Sequence, residues 1–255
     1  MARDKLFESA RLKMERANQH IADLQAASDA FTGYRHNFGF YMDAQSNEMV
    51  VEVRLNEPIP TSLPLLIGDA IHNLRTALDQ ATWELIGLDG GRQDRSLTFP
   101  ARRVQRDYEA ACSQIETPRA DTKKFFIAFE TYPGGGGEKL FALHLLDNTD
   151  KHRILTPIIS ASTLQSAKVF NQDDEVVGTL QNITFTMGPD GRARLAKLGP
   201  DRRFEFDENI DPTIDIFFGD VEFFEFAPLI PTLAHLSEDV SHALEQFEEF
   251  VRMRA

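Results

Sequence analysis

One stretch of the sequence constrains the fold more than any other, because it joins a long amphipathic pattern to a dense set of reactive side chains. It runs from Ser62 to Gly87. Its apolar residues recur at spacings of three, four or seven, which is typical of a helix that buries one face. They are Ile67, Ile71, Leu74, Leu78 and Leu85. The pattern predicts a central helix over 63–87.

A second face of the same helix is polar and chemically varied. Asp69, His72, Thr76, Asp79 and Trp83 follow the helical spacing there. A carboxylate, an imidazole, a hydroxyl, a second carboxylate and an indole therefore lie along one side of the helix. Faces that only contact solvent rarely carry this set, so the face is a candidate functional surface.

Composition limits the classes of protein to consider. The chain has 255 residues, 42% of them hydrophobic, which is enough to bury a substantial core. Its formal charge of -13 repels nucleic acid at long range. The single cysteine, Cys112, excludes an intramolecular disulfide and fits a reducing compartment, and we interpret it as a small core residue.

No segment of the sequence predicts export or membrane insertion. The residues MARDKLFESARLK lack an apolar core of signal-peptide length. No apolar run reaches the roughly 20 residues that a membrane-spanning helix needs. We therefore expect a cytoplasmic protein with no membrane partner.

Long apolar stripes predict three further helices, which begin and end near 4–30, 138–153 and 229–253. Two shorter helices are expected over 104–115 and 120–130, on either side of Pro118. Long amphipathic helices need partners of similar length, so we expect the four long ones to form a bundle in which 63–87 contacts 138–153.

The remaining segments alternate with a period of two, which predicts strands. An N-terminal hairpin is expected around residues 43–46, and a turn over 188–191 predicts a second hairpin. The C-terminal strands are expected at 158–163, 166–171, 176–187, 193–197, 204–206, 214–218 and 222–226. The fold class is therefore α+β, with one domain over 1–255: a helical part (1–156 and 229–253) and a mostly antiparallel sheet part (157–228).

Phenylalanine is abundant in the sheet part. These residues are Phe170, Phe185, Phe204, Phe206, Phe217, Phe218, Phe223, Phe224 and Phe226. No Lys or Arg is interleaved with them, so packing is a better interpretation than stacking on nucleic acid bases. An excess of exposed phenylalanine would make a homodimer plausible.

The four consecutive glycines at 134–137 precede a predicted helix, as in a phosphate-binding loop. A P-loop, however, has spaced glycines followed by Lys and Ser or Thr, whereas Glu138 and Lys139 follow here. We interpret this segment as a flexible hinge rather than a phosphate site.

A second group of reactive residues ends the predicted helix over 138–153. It contains His144, Asp147, Asn148, Asp150, Lys151, His152 and Arg153. If the two helices pack side by side, this group meets the polar face of the central helix. The candidate catalytic residues are then His72, Arg75, Asp79, Asp147, Lys151 and His152. The candidate substrate-binding residues are Asn73, Trp83 and Arg153.

Three interpretations of this cluster compete. It is a buried polar network that holds two helices together. Alternatively, His72 or His152 transfers protons while Arg75 or Lys151 stabilises negative charge on a phosphate or carbonyl oxygen. In the third interpretation His72, Asp79, Asp147 and His152 bind a divalent metal, although no metal-binding motif supports it. We expect no metal and no cofactor. We also expect His72 and His152 to be buried and to approach each other or share a carboxylate.

The segments GDAIHNLRTALDQATWEL and LLDNTDKHRIL resemble a group of bacterial and phage-associated proteins that carry HNLR and DKHR segments. Four helices with an arginine followed by a histidine are also similar to HEPN domains. That similarity implies metal-independent cleavage of RNA within prophage or defence systems. In the HEPN pattern the histidine would stand at Gln80, so His72 or His152 would have to replace it.

Two classes of function follow from these observations. The first is an enzyme that acts on a phosphate-containing or other anionic substrate, with RNA as one candidate ligand. The second is a non-catalytic interaction or scaffold protein of phage or defence origin, in which the cluster is structural. The sequence does not identify the ligand.

Overall fold

The computed structural model describes residues 6–32, 36–55, 57, 60–153, 155, 158–187, 191–206, 213–219, 221–225 and 227–254. Its helices are α1 (Glu8–Thr32), α2 (Ser62–Leu88), α3 (Gln105–Gln114), α4 (Ala120–Ile127), α5 (Glu138–His152) and α6 (Leu229–Met253). Its strands are β1 (His36–Asp43), β2 (Glu48–Leu55), β3 (Ile158–Phe170), β4 (Val176–Thr186), β5 (Arg192–Leu198), β6 (Arg203–Phe206) and β7 (Thr213–Phe217). The α+β class is confirmed.

Helix α2 lies at the centre of the helical part, where it contacts α1, α5 and α6. Its whole predicted apolar stripe is buried. Helices α1 and α6 also contact each other, and α5 packs on α6. The shared core includes Leu24 of α1, Leu143 of α5 and Phe247 of α6, all fully buried. The predicted contact between the helices over 63–87 and 138–153 is therefore present.

Helices α3 and α4 cover one end of this core. Tyr108 of α3 and Phe126 of α4 are fully buried, and the Tyr108 hydroxyl donates to the Phe126 carbonyl oxygen. Cys112 is buried beside them, as predicted. Burial raises the pKa of its thiol to about 11, against an ordinary value of 9.0, so the thiol stays protonated at neutral pH.

The strands form two sheets, and one strand that the sequence assigns to the C-terminal sheet, β5, belongs to the N-terminal one. The N-terminal hairpin of β1 and β2 is present, and β5 extends it, giving the order β1-β2-β5. The second sheet has the order β4-β3-β6, and β7 also pairs with β3. Every pairing between these strands in the described part of the chain is antiparallel.

Three strand predictions are wrong in detail. The strands predicted over 158–163 and 166–171 form one strand, β3, because the break in their pattern is a register shift against β4 between Ala161 and Leu164. The predicted second hairpin is not formed, since β5 pairs with β2 instead of β4; residues 188–190 of its turn lie outside the described residues. The strand predicted over 222–226 is not formed, because residues 221–225 make turns and Phe223 has a φ of 71°.

Most phenylalanines of the sheet part that the structure describes are not exposed. Phe204 and Phe218 are buried, and only Phe223 counts among the exposed large apolar residues. The side chains of Phe185, Phe206 and Phe226 lie outside the description. Packing is thus confirmed for the buried members, and the excess of exposed phenylalanine that suggested a homodimer is not found among the described residues. Homodimerisation stays a prediction.

Candidate active site

A buried carboxylate joins α2 to α5. Asp147 lies on the buried face of α5, among the apolar residues that pack on the bundle, and its side chain is only 3% exposed. One of its oxygens, Oδ1, lies 3.0 Å from Nδ1 of His72 on α2. The other, Oδ2, accepts a hydrogen bond from Lys151, which lies one turn further along α5. Both partners are more than half exposed, at 55% for His72 and 51% for Lys151.

The second ring nitrogen of His72 faces a hydroxyl. Nε2 of His72 lies 3.5 Å from Oγ1 of Thr76, one turn along α2. Because the Asp147 carboxylate can only accept at Nδ1, the neutral ring carries its proton there and Nε2 is left as an acceptor. Hydroxyl, imidazole and carboxylate therefore stand in a row, with the carboxylate buried and the imidazole accessible to solvent.

Arg75 and Asp79 form a second ion pair, within α2. Arg75 is far more buried than His72, at 4% against 55% exposure. Nη2 of Arg75 lies 2.9 Å from Oδ1 of Asp79 and donates to the Phe99 carbonyl oxygen at 2.7 Å. The Phe99 backbone N–H donates to the same Asp79 oxygen at 2.8 Å. The Arg75 guanidinium also lies 5.7 Å from the centre of the Phe99 ring. This pair therefore holds the segment around Phe99 against α2.

Burial shifts the pKa values of this second pair. It lowers the pKa of Arg75, while the charges of Asp79 and Asp147 oppose that shift. It raises the pKa of Asp79, against the opposing charge of Arg75 and the hydrogen bond from Phe99. Each group is thus kept ionised by the other, and losing one would leave the other buried without its counter-charge.

His144 lies behind the site on α5 and is held neutral. Burial lowers its pKa to about 4, and the positive charge of Arg75 adds to the shift. Its Nε2 lies 3.0 Å from Nδ2 of Asn148. Among the described residues, no hydrogen-bond partner reaches its buried Nδ1 or the buried Nη1 of Arg75.

Acidic side chains border the site along α2 and α5. Burial raises the pKa of Asp150, and the negative charges of Asp147 and Asp69 add to that shift. The Asp150 carboxylate lies directly over Gly68 of α2, where a Cβ atom would collide with it. Glycine at this position therefore permits the close approach of α2 and α5.

The other predicted site residues are dispersed. Asn73 is buried and ties α1 to α2, because its Oδ1 accepts from Nζ of Lys13 at 3.1 Å and its Nδ2 donates to the Asp69 carbonyl oxygen at 2.7 Å. Trp83 lies eleven residues from His72 on α2, which corresponds to about 16 Å along a helix. Arg153 is exposed and follows the last residue of α5.

The expectation for His152 is wrong. His152 is the last residue of α5 and is exposed, and no hydrogen bond joins it to His72, Asp147 or another residue that the structure describes. The two oxygens of Asp147 are instead contacted by His72 and by Lys151. His72 does pair with a carboxylate of the other helix, but it is exposed rather than buried.

Sequence reasoning missed the partners that come from distant segments. The backbone of Phe99 and the side chain of Lys13 show no spacing relationship to α2, so no pattern could have found them. Thr76 could have been chosen, because it stands four residues after His72 and on the same helical face.

Backbone N–H groups of the glycine segment donate hydrogen bonds to the carboxylates of neighbouring glutamates. The Gly134 N–H donates to Oε1 of Glu138 at 2.8 Å, and the Gly136 N–H donates to Oε2 of Glu130 at 3.1 Å. The Gly137 N–H donates to the Glu130 carbonyl oxygen at 3.2 Å. These donors, which a phosphate would need, are already occupied. The same hydrogen bonds fix the segment, so they argue against a flexible hinge as well.

No three His, Cys, Asp or Glu side chains among the described residues are grouped so that they could hold a metal ion. None of the described helices is both long and apolar enough to cross a membrane. Comparison with protein-family models, with curated proteins and with solved structures found no match to the chain.

Proposed function

We propose that the protein is an enzyme that uses His72 as its proton-transfer group and acts on a phosphate-containing substrate. The observation that carries this proposal is the pair of His72 with Asp147, in which a buried carboxylate fixes an exposed imidazole. An ion pair with a partner that is 55% exposed contributes only about 0–1 kcal/mol, so stability alone is a weak reason for this pair.

The geometry supports general acid–base chemistry. Asp147 fixes the tautomer and orientation of His72, so Nε2 is available to take a proton from a water or hydroxyl that attacks phosphorus. As the bond from phosphorus to the leaving oxygen breaks, the same nitrogen returns that proton to the leaving oxygen. The Thr76 hydroxyl oxygen lies 3.5 Å from Nε2, so the space beside this nitrogen can accommodate an oxygen atom.

Charge limits the size of the substrate. Lys151 shares Asp147 with His72 and is half exposed, so it supplies positive charge beside the imidazole. Asp69 and Asp150 lie nearby, and the whole chain carries a formal charge of -13. A long polyanion would be repelled by this field, so a small phosphate ester or a short RNA fits better than duplex nucleic acid.

The similarity to HEPN domains supports metal-independent cleavage as the class of reaction, with an altered set of residues. Arg75 stands where that resemblance places the arginine, but it is bound to Asp79 and Phe99 and is only 4% exposed. Lys151 is therefore the better candidate to contact phosphate. His72 is the better candidate for the proton transfer, because it contacts Asp147 and no hydrogen bond joins His152 to Asp147 in the described part of the chain.

A scaffold protein is the second candidate function, and a separate observation favours it. Arg75, Asp79 and the Phe99 backbone bond to one another, and these bonds hold a loop against the central helix. Paired groups of this kind stabilise a fold without doing chemistry, although Nη1 of Arg75 has no partner among the described residues. If His72 belongs with them, the cluster is structural throughout.

Hydrolysis assays separate the two candidates. Protein treated with a chelator would be incubated with p-nitrophenyl phosphate, bis(p-nitrophenyl) phosphate and a short single-stranded RNA. We expect turnover of at least one substrate, a loss of about 10²- to 10⁴-fold in His72→Ala, and a comparable loss in Asp147→Asn. The matched control is His242→Ala, because His242 is exposed on α6, where its Nδ1 lies 3.6 Å from the Glu245 carboxylate. Absence of turnover, or full activity in His72→Ala, would favour the scaffold.

A further inference from the structure

A concave surface lies near the C-terminal end of α2, away from His72. It is an open cavity of about 570 Å³, which is large enough for a small ligand. Its lining includes Ser9, Gln80, Trp83, Glu84, Leu88 and Gln93. Trp83 is the only tryptophan of the chain and is 40% exposed, and Leu88 is 54% exposed. An aromatic face and an apolar edge therefore remain open to solvent.

Hydrogen bonds fix two polar walls of this cavity in place. Nε2 of Gln93 donates to the Trp83 carbonyl oxygen at 2.7 Å. Oε1 of Glu84 accepts from the Phe7 backbone N–H at 2.8 Å. The remaining oxygens, Oε1 of Gln93 and Oε2 of Glu84, receive no hydrogen bond from any residue that the structure describes. The walls are thus preorganised and present acceptors.

The charge of the cavity selects against anions. Among the described residues that line it, Glu84 is the only charged one, and none is Lys or Arg. The net charge of -13 adds a long-range attraction for cations. A ligand that satisfies the free oxygens must donate hydrogen bonds, and one that covers the indole must be flat.

We infer that this cavity binds a guanidinium group of the kind that an arginine side chain carries. A guanidinium is planar, permanently positive and rich in donors, and it stacks on aromatic rings. Its planar face would stack on the indole of Trp83, and the N–H groups at its edge would donate to the oxygens of Glu84 and Gln93. The inference does not depend on the function of His72.

Tryptophan fluorescence tests the inference directly, because Trp83 is the sole source of the signal. The intact chain would be titrated with N-acetyl-arginine amide, with the citrulline analogue and with free L-arginine. Citrulline keeps the planar shape but is neutral. We expect a saturable change with the arginine amide and at least roughly tenfold weaker binding of the citrulline amide, since the charge is lost. Tighter binding of the arginine amide would assign the guanidinium to a polypeptide, and tighter binding of free arginine would assign it to the amino acid.

Variants locate the binding on the proposed residues. Glu84→Gln keeps an oxygen for the Phe7 N–H but removes the charge, so it should weaken arginine binding roughly tenfold. Trp83→Leu, followed by ligand-observed NMR, should abolish it. The matched control is Glu245→Gln, which removes an exposed carboxylate of α6 and should change nothing. No saturable change with the arginine amide, or equal binding of arginine and citrulline amides, would overturn the inference.

Discussion

Two polar pairs that include residues of α2 differ in what surrounds them. Arg75 is bound by Asp79 and by the Phe99 segment and is 4% exposed, while Asp79 is 29% exposed. His72 pairs with a buried carboxylate of α5, Asp147, but its own ring is 55% exposed. A cation as buried as Arg75 acts mainly on the stability of the fold, whereas a fixed and accessible imidazole can meet a ligand. The difference separates a structural pair from a candidate catalytic pair within one cluster.

Removing Arg75 should produce the largest loss of stability. Arg75→Met removes the counter-charge of the partly buried Asp79 carboxylate and frees the Phe99 segment, so the free energy of unfolding should fall by about 2–4 kcal/mol. Urea denaturation followed by circular dichroism measures this change. Arg92→Met is the control, since Arg92 is 65% exposed and its surface ion pairs should contribute only about 0–1 kcal/mol. Equal effects of the two substitutions would contradict a structural role specific to Arg75.

The neutral His144 should give the fold a measurable dependence on pH. Its pKa is about 4 in the folded chain, below its ordinary value of 6.5. Between these values the unfolded chain binds the proton and the folded chain does not, so stability is complete above about pH 6.5 and falls as the pH is lowered towards 4. Allowing for partial exposure of the ring, we expect a loss on the order of 1–2 kcal/mol.

Comparison with His144→Gln isolates this effect from the titration of carboxylates. The difference in unfolding free energy between wild type and variant should shrink as the pH falls from 6.5 to 4. A difference that stays constant over this range would show that His144 titrates alike in both states.

Removing His72 should have the smallest effect on stability. Its imidazole is more than half exposed, so His72→Ala should lower the free energy of unfolding by no more than about 1 kcal/mol. Thermal denaturation, run beside the Arg75→Met variant, provides the comparison. A loss as large as that of Arg75→Met would remove the distinction between the two pairs and assign both to the scaffold.

The helices could be predicted closely from the sequence, and the sheets could not. The stripe at 229–253 and the one at 63–87 correspond to α6 and α2 within a residue at each end. Helical spacing is a local property, so it can be read without knowing the partners. The pairing of β5 with β2 joins segments about 140 residues apart, and alternation within each strand says nothing about which strand lies beside it.

The same limit applies to the candidate site. Pairs four residues apart on one helix, Arg75 with Asp79 and Asp147 with Lys151, follow from helical spacing. The contact of His72 with Asp147 required two helices to pack in one particular register. His152 was misplaced because spacing cannot show that α5 ends there and turns its last side chain to solvent.

The tautomer of His72 tests the central claim most directly, because the account requires Asp147 to hold the proton on Nδ1. Long-range ¹H–¹⁵N NMR of the histidine rings, with His72 assigned by comparison with His72→Ala, reports which nitrogen carries it when the ring is neutral. The account predicts a protonated Nδ1 and an unprotonated Nε2 in the wild type, and a mixture of tautomers in Asp147→Ala. A proton on Nε2, or a mixture in the wild type, would contradict it.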